Sequence, residues 1–249
     1  MSTRRCRAGI VLLSALLAGC GSTTPGPRVG ARALARSRAL TFARAVNLSS
    51  QDLPGFVAIG AEHEPPAPGP IDLAQDRCTG VLSPSLRVAK VASPEFSGGR
   101  GLHSEFFTST VEIWPTASDA GFNTDRSQTP HGEACLVAAI RAVNRKIDLE
   151  RHGKMQIGPF TLATAPIPLP GVSRGFVINI DETRLHRSGA VFFHVYRDIF
   201  AFVTGPSEVE LRAVGFGHRV PARTEQRLLW SLLARATAGA GPPGSPTSS

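Results

Sequence analysis

Three residues in the second half of the chain have the types and the order of the catalytic residues of a serine hydrolase: Ser173, Asp181 and His194. Ser173 lies in the segment Gly171–Gly175, which matches GxSxG, a turn that exposes a nucleophilic hydroxyl between a strand and a helix. Here a proline-rich loop precedes the serine and the apolar run Phe176–Ile180 follows it, so the context is reversed. We therefore interpret the GxSxG residues as a turn, and a serine hydrolase acting on an ester or peptide remains the alternative function.

The N-terminus has the composition of an export signal. Arg4, Arg5 and Arg7 precede an uncharged, mostly apolar run from Ala8 to Ala18, and small residues follow. A charged start, a short apolar centre and small residues before a cleavage site are typical of a secretory signal. A bilayer-spanning helix needs about 20 apolar residues, so this run is too short to be one. The sequence therefore predicts a signal peptide over residues 1–19.

The end of this signal carries a second kind of chemistry. The residues Leu17-Ala18-Gly19-Cys20 resemble the lipobox of bacterial lipoproteins. This resemblance implies that the Cys20 thiol receives a diacylglyceryl group, that the chain is cut before Cys20, and that the new N-terminus can be acylated. One acyl chain binds a membrane weakly, whereas two or three hold a protein there. The resemblance thus implies a lipid-anchored protein on the extracytoplasmic face of the cell membrane.

The remaining cysteines form the second predicted site. Cys6 leaves with the signal and Cys20 takes the lipid, which leaves Cys78 and Cys135 in a compartment where disulfides persist. We predict a Cys78–Cys135 disulfide. The rival interpretation, a metal site, is set aside because the chain has no CxxC motif and no Cys–His spacing that we interpret as a ligand pattern. We predict no metal, no other cofactor and no catalytic residue.

The net charge of +8 comes from one end of the chain. Eight arginines precede Gln51 with no acidic residue among them, and the remainder of the chain is neutral. Nucleic-acid binding needs a basic face on the folded domain, so we expect no nucleic-acid partner. The basic arm either lies against anionic lipid head groups, where each arginine contributes about 1 kcal/mol, or is a solvated linker.

The hydrophobic pattern predicts an α+β fold, an antiparallel β-sheet flanked by helices. Apolar residues alternate along Phe106–Trp114, as in a half-buried strand, and recur at three and four along the helix Glu133–Ile147. Closely spaced strands must be antiparallel neighbours. We predict such strands, with turns at Arg197-Asp198 and Gly205-Pro206-Ser207, followed by a helix from Pro221 to Ala236; the strands are Gly175–Ile180, Ala190–Tyr196, Ile199–Thr204 and Val209–Phe216.

Composition divides the chain into four predicted parts. After the signal, residues 20–46 hold the lipidated Cys20, the basic tether and a short helix. Residues 47–237 form a single α+β domain. Residues 238–249 are rich in Gly, Pro and Ser and are predicted to be a disordered tail.

Several pieces of the predicted domain resemble a family of secreted lipoproteins of high-GC Gram-positive bacteria. The resemblance is carried by Asn47-Leu48, Asp52-Leu53-Pro54-Gly55, Val111-Glu112-Ile113-Trp114, Ala134-Cys135-Leu136 and the terminal strand–Pro–helix unit. It implies a Mog1/PsbP-like α/β sandwich, or a domain like the extracellular sensors of receptor kinases. It carries over no functional residue.

The leading function hypothesis is therefore a non-catalytic protein on the membrane with a sensory or accessory role. We expect it to bind a ligand of the cell envelope, such as an apolar molecule, or a protein partner. The expected binding place is a groove between the sheet and the helices, stiffened by the disulfide. Under the alternative, a lipid-anchored serine hydrolase would act on an envelope ester or peptide.

Overall fold

The computed structural model describes residues 27–66, 68–150, 156–172 and 174–239. Within these residues the chain forms helices α1 Pro27–Val46, α2 Pro70–Thr79, α3 Ala117–Ser127, α4 Pro130–Glu150 and α5 Ala222–Gly239. The strands are β1 Val57–Ile59, β2 Ala89–Ala92, β3 Glu95–Gly98, β4 Glu105–Ile113, β5 Gln156–Pro166, β6 Arg174–Leu185, β7 Val191–Thr204 and β8 Ser207–Phe216.

All of these strands belong to one antiparallel sheet. The strand order is β1-β3-β4-β8-β7-β6-β5, and β2 also pairs with β4. Helices lie on both faces, so the predicted α+β fold with an antiparallel sheet flanked by helices is confirmed. The predicted signal, Cys20 and the tail from residue 240 onward lie outside the described residues.

The larger core lies between the sheet and helices α1 and α5. The stripe Leu228, Leu229, Leu232 and Leu233 of α5 is buried there, as its spacing predicts. From the sheet, Phe107, Val111, Val209 and Leu211 meet it. Burial alternates along β4 as predicted, because successive side chains of a strand point to opposite faces. This alternation leaves the even-numbered residues of β4 on the other face.

The second core lies on the opposite face and covers only part of the sheet. Phe176, Ile178 and Ile180 of β6 are buried beneath Leu136 and Ile140 of α4. Next to them Trp114, Ala120 of α3 and Val203 of β7 form a small cluster. Helices α3 and α4 therefore lie over β6 and β7, while the neighbouring β8, β4 and β2 carry polar side chains on this face.

Helix α1, which ends just before the predicted boundary at residue 47, packs against the folded domain. Ala43 and Val46 are fully or almost fully buried, and Ala39, Leu40 and Phe42 pack beside them. The helix contacts β2 and α5. Its apolar stripe looked too thin for burial because alanines supply much of it, and alanine allows the close approach of a helix to a sheet.

Strand β7 corrects another prediction, the turn at Arg197-Asp198. The strand runs unbroken through these residues and pairs with β6 and β8 on either side. Arg197 donates to the carboxylate of Glu182 at 3.0 Å, and Asp198 accepts from the side chain of Asn179 at 2.5 Å. Two charged residues in sequence indicate a turn only when no partner faces them, and here β6 supplies both partners.

Asp52 holds the turn after α1 to helix α5. Its carboxylate accepts from Arg235 at 3.0 Å, from the Ser231 hydroxyl at 3.0 Å and from the Ser49 backbone N–H at 2.8 Å. Burial alone would raise the pKa of Asp52, but the bonds from Ser49, Arg235 and Ser231 outweigh it and lower this pKa below its ordinary value. The ionised form of Asp52 therefore stabilises the fold.

Candidate functional site

The uncovered part of the second sheet face forms the floor of a groove. Its polar side chains come from β2, β4 and β8: Lys90, Thr110, Glu112, Glu208, Glu210 and Arg212. Glu112 of β4 lies opposite Glu208 of β8 in the strand register, so the two side chains are on one face. The main part of the groove has a volume of about 540 Å³.

Four segments build the walls of this groove. Helix α2 contributes Asp72, Gln75 and Asp76, and helix α3 contributes Asn123 and Ser127. The proline-rich segment before α2 contributes Glu64, Pro65, Pro66 and Pro68. Trp114, which follows β4, lines the groove next to the floor.

The cations of the groove form ion pairs with carboxylates of the same groove. Arg87 and Lys90 both contact the Glu112 carboxylate at 2.7 Å. Arg36 forms an ion pair with Glu64. The floor therefore holds a compact group of two cations around one carboxylate, which carries a net charge of +1 and also acts on Asp76 and Glu208 nearby.

Two acids of the groove, Glu208 and Asp76, have raised pKa values. Burial, together with the nearby charges of Glu112 and Glu210, raises the pKa of Glu208 to about 8, although Trp114 and Lys90 partly offset this. Burial also raises the pKa of Asp76, and Glu112 and Asp72 add to this rise while Arg87 opposes it. Neither Glu208 nor Asp76 forms an ion pair with another described residue. Glu208 is consequently protonated at neutral pH.

The indole of Trp114 adds a buried donor at the same place. Trp114 is 2% exposed, and its indole N–H lies against the Glu208 carboxyl group, although the contact falls short of good hydrogen-bond geometry. The side chain faces the carboxyl group of Glu208 closely enough to affect its pKa.

The predicted Cys78–Cys135 disulfide is present, with the two Cα atoms 5.7 Å apart. It joins α2, a wall of the groove, to α4. His131 Nε2 donates to the Cys78 carbonyl oxygen at 2.8 Å and lies 3.7 Å from Cys135 Sγ. The disulfide therefore belongs to the scaffold of the groove.

Sequence reasoning missed His131. The ligand atoms of Cys78, His131 and Cys135 all lie within 4.8 Å of one another. The signal was available, because His131 and Cys135 are four residues apart and residues four apart share one face of a helix. In the structure both sulfurs are engaged in the disulfide, and the imidazole is hydrogen bonded to the backbone.

The structure places part of the predicted hydrolase set together. His194 Nδ1 lies 3.1 Å from the Asp181 carboxylate. Ser173 lies outside the described residues. Arg174, the first residue of β6, is seven residues from Asp181 along the strand, which is about 23 Å for an extended chain. The Asp181–His194 pair is thus far along β6 from the end at which the GxSxG motif joins the strand.

Beside that pair, Asp198 and Glu225 form a buried carboxyl pair. Burial, the charge of Asp198 and a hydrogen bond to Asp198 raise the pKa of Glu225 to about 8. Arg219 lies 3.6 Å from Asp198 and stacks over the Tyr196 ring at 4.7 Å. Glu225 is therefore protonated at neutral pH and joins the first turn of α5 to β7.

We expect the Glu225→Gln variant to be less sensitive to pH than the wild type. The folded-state pKa of Glu225 lies above its ordinary value of 4.5, so its stabilisation is complete below pH 4.5 and is lost as the pH rises to about 8. One such group changes the free energy of unfolding by at most about 1.4 kcal/mol per pH unit. Glutamine keeps the hydrogen bond and cannot ionise.

Urea unfolding between pH 5.5 and pH 8.5 measures this difference. At pH 8 the variant should be the more stable protein, by on the order of 2 kcal/mol. Asp125→Asn is the matched control, since it removes an exposed carboxylate that lies outside the buried pair. If the free energy of unfolding had the same dependence on pH in the wild type and in the Glu225 variant, Glu225 would not be protonated in the folded protein at neutral pH.

Comparison with known proteins assigns no family to this chain. No protein-family model matches the chain, and no curated protein matches it in sequence. Among solved structures, the chain is similar to the extracellular domain of PknH from Mycobacterium tuberculosis, with 11% sequence identity and a TM-score of 0.43. The similarity covers 80% of this chain and 96% of that one. A likeness of this degree transfers no residue role to this chain.

Proposed function

We propose that this protein is a lipid-anchored binding protein of the cell envelope, and that its groove holds a polar ligand or a polar segment of an envelope partner. The groove of about 540 Å³ supports this proposal. Ligand sites usually have volumes of about 300–1,000 Å³ and a few well-placed polar groups. The charged floor favours a polar ligand over the apolar molecule that the sequence suggested.

The groove is also rigid enough for recognition. Its floor consists of side chains on three hydrogen-bonded strands, and the disulfide holds its α2 wall against α4. Sites built on strands and helices are positioned better than sites on loops, and a preformed site loses less entropy when a ligand binds. A sensory or accessory role, in which binding is the whole function, needs no more than this.

The proposed anchor would hold the groove near the membrane. Lipid on Cys20 would be separated from Pro27, where α1 begins, by a segment that spans at most about 25 Å. Helix α1 carries Arg36 and Arg38, and Arg36 itself lines the groove. None of the helices in the described part of the chain is long and apolar enough to cross a membrane.

Photo-cross-linking in native membranes tests the proposed function. Ser127 of α3 lines the groove, whereas Trp230 of α5 is exposed on the far side of the molecule. A photoreactive residue at position 127 of the full-length protein is expected to give a discrete cross-linked product that the same residue at position 230 does not give. Mass spectrometry identifies the product.

The Cys20→Ala variant serves as the control for location. It should leave the membrane fraction, and the product formed at position 127 should decrease with it if the ligand belongs to the envelope. Products of equal yield at positions 127 and 230, or none at either, would refute the groove as a binding site. A Cys20→Ala protein that stays in the membrane would refute the anchor.

A further inference from the structure

We propose that the Cys78–Cys135 disulfide is a modification site, at which the thiolate of a small thiol compound attacks Cys78 and leaves a mixed disulfide on that residue. In this reaction His131 stabilises the Cys135 thiolate that the attack releases. The inference goes beyond the proposed function and does not require a ligand in the groove. It depends on the different exposure of the two cysteines, on the place of Cys78 in its helix and on the position of the imidazole.

The two cysteines differ in their access to solvent. Cys78 of α2 is exposed, whereas Cys135 of α4 is only 2% exposed. A thiolate must reach the sulfur that it attacks, so access decides which of two bonded sulfurs reacts. Exposed disulfides are also the ones that exchange most readily in proteins. Attack therefore takes place at Cys78, and Cys135 is the leaving group.

The position of Cys78 at the end of its helix leaves room for an added group. Cys78 is the next-to-last residue of α2, which ends at Thr79. Gly80 follows in the left-handed conformation with a φ of 69°, as is typical of a helix end. The positions three and four residues later, which flank a side chain inside a helix, lie beyond the end of α2. A mixed disulfide on Cys78 can therefore extend into solvent.

The imidazole of His131 lies beside the leaving sulfur. Its Nε2 is 3.7 Å from Cys135 Sγ, and the same nitrogen donates to the Cys78 carbonyl oxygen at 2.8 Å. Nε2 therefore carries a hydrogen, because a carbonyl oxygen only accepts. A buried thiolate without a donor would be costly, and this N–H lies where it stabilises the charge on Cys135.

The exchange requires no oxidant or reductant besides the attacking thiol, which first loses its proton to the solvent. Its sulfur forms a bond to Cys78 Sγ while the bond between Cys78 and Cys135 breaks, and both electrons of the broken bond go to Cys135 Sγ. The protonated imidazole of His131 then passes a proton to this sulfur and regains one from the solvent. The products are a mixed disulfide on Cys78 and a thiol on Cys135, and α2 loses its covalent link to α4.

Peptide mapping by mass spectrometry after exposure to free L-cysteine tests the inference. The full-length protein in detergent is incubated with this probe, quenched with acid at early times and then alkylated in urea. We expect the probe on Cys78 and the alkyl group on Cys135, in a preference of about tenfold over the opposite pattern, because access selects the attacked sulfur. The same incubation carried out in urea from the start should lose this preference, since unfolding exposes both sulfurs.

Two variants test the part of His131. The His131→Ala variant should form the mixed disulfide about tenfold more slowly, because the leaving thiolate has lost its donor, and added imidazole should restore part of the rate. If His131 were only structural, its loss would loosen the junction of α2 and α4, and exchange would be as fast as in the wild type or faster. The matched control is His186→Ala, which removes a histidine between β6 and β7 and should react at the wild-type rate.

Three results would overturn the inference. The first is a folded protein that takes up no probe, and the second is equal labelling of Cys78 and Cys135 without urea. The third is a His131→Ala variant that reacts at least as fast as the wild type or does not respond to imidazole. None of these results depends on the cross-linking at position 127, so the proposed function is tested separately.

Discussion

Replacing both Cys78 and Cys135 with serine is expected to lower the free energy of unfolding by about 4 kcal/mol. The disulfide closes a loop with a sequence separation of 57 residues, and the value follows from the entropy that such a link removes from the unfolded chain. In a domain of this size the melting temperature should fall by roughly 8–16 °C. Thermal unfolding under oxidising conditions measures the change.

The loss should be concentrated at the groove wall. Among the residues of α2 whose burial is described, Thr79 alone is buried. The apolar residue Leu73 of this helix is 38% exposed. Because its apolar contacts are few, α2 depends on the disulfide and on its packing against α4. Amide exchange over Pro70–Thr79 should accelerate far more than exchange over α5, whose leucines are fully buried.

His131→Ala provides the matched control for the cysteine variant. It removes the hydrogen bond to the Cys78 carbonyl at the same junction and leaves the covalent bond intact. Its expected cost is about 1 kcal/mol. If the double serine variant had the same melting temperature as the His131 variant or the wild type, noncovalent packing alone would hold α2 in place.

The parts of the fold that could be predicted from sequence are those governed by local periodicity. The alternation along β4 and the leucine stripe of α5 each bury one face of one element, and the sequence alone determines which face that is. The disulfide followed from the compartment and from the number of cysteines left. None of these needed knowledge of distant neighbours.

The groove could not be predicted because it depends on pairing between distant segments. Glu112 appeared as one of the polar residues of a half-buried strand, and Glu208 lay just before the predicted strand Val209–Phe216. Only the register that aligns β4 with β8 puts them side by side. Helix α2 was not among the predicted elements, because prolines crowd the segment before it; Pro70 occupies the first position of the helix, where proline is favourable.

Strand β6 is a second case in which contacts between distant segments decide the structure, because it is longer than the predicted strand. Its predicted end was Ile180, because Asp181 and Glu182 are charged residues that usually leave a sheet. The strand continues to Leu185, and Glu182 is completely buried beneath α4. A sequence pattern cannot show that a buried acid has partners when these come from another strand and from a helix.

Replacing Glu182 with alanine should be the most damaging change of a charged residue among those described above, with an expected cost of about 3–5 kcal/mol. The Glu182 carboxylate forms ion pairs with Arg184 and, at 3.0 Å, with Arg197. It also accepts from the Asn144 side chain of α4 at 3.3 Å. Without it, two arginines would face each other beside a buried amide with no carboxylate.

Two further variants separate charge from packing at this position. Glu182→Gln keeps the shape and can still bond to Asn144, so any loss shared with the alanine variant belongs to the ion pairs. Asp125→Ala breaks an exposed pair with Arg174, whose N–O distance is 2.7 Å, and should cost at most about 1 kcal/mol. The Glu182 side chain is fully buried, whereas the Asp125 side chain is about half exposed. The difference between the losses in free energy of unfolding of the two alanine variants therefore measures the contribution of burial. Urea unfolding that gave both alanine variants the same stability would show that the arginines around Glu182 reach water, and that the carboxylate does not hold α4 to the sheet.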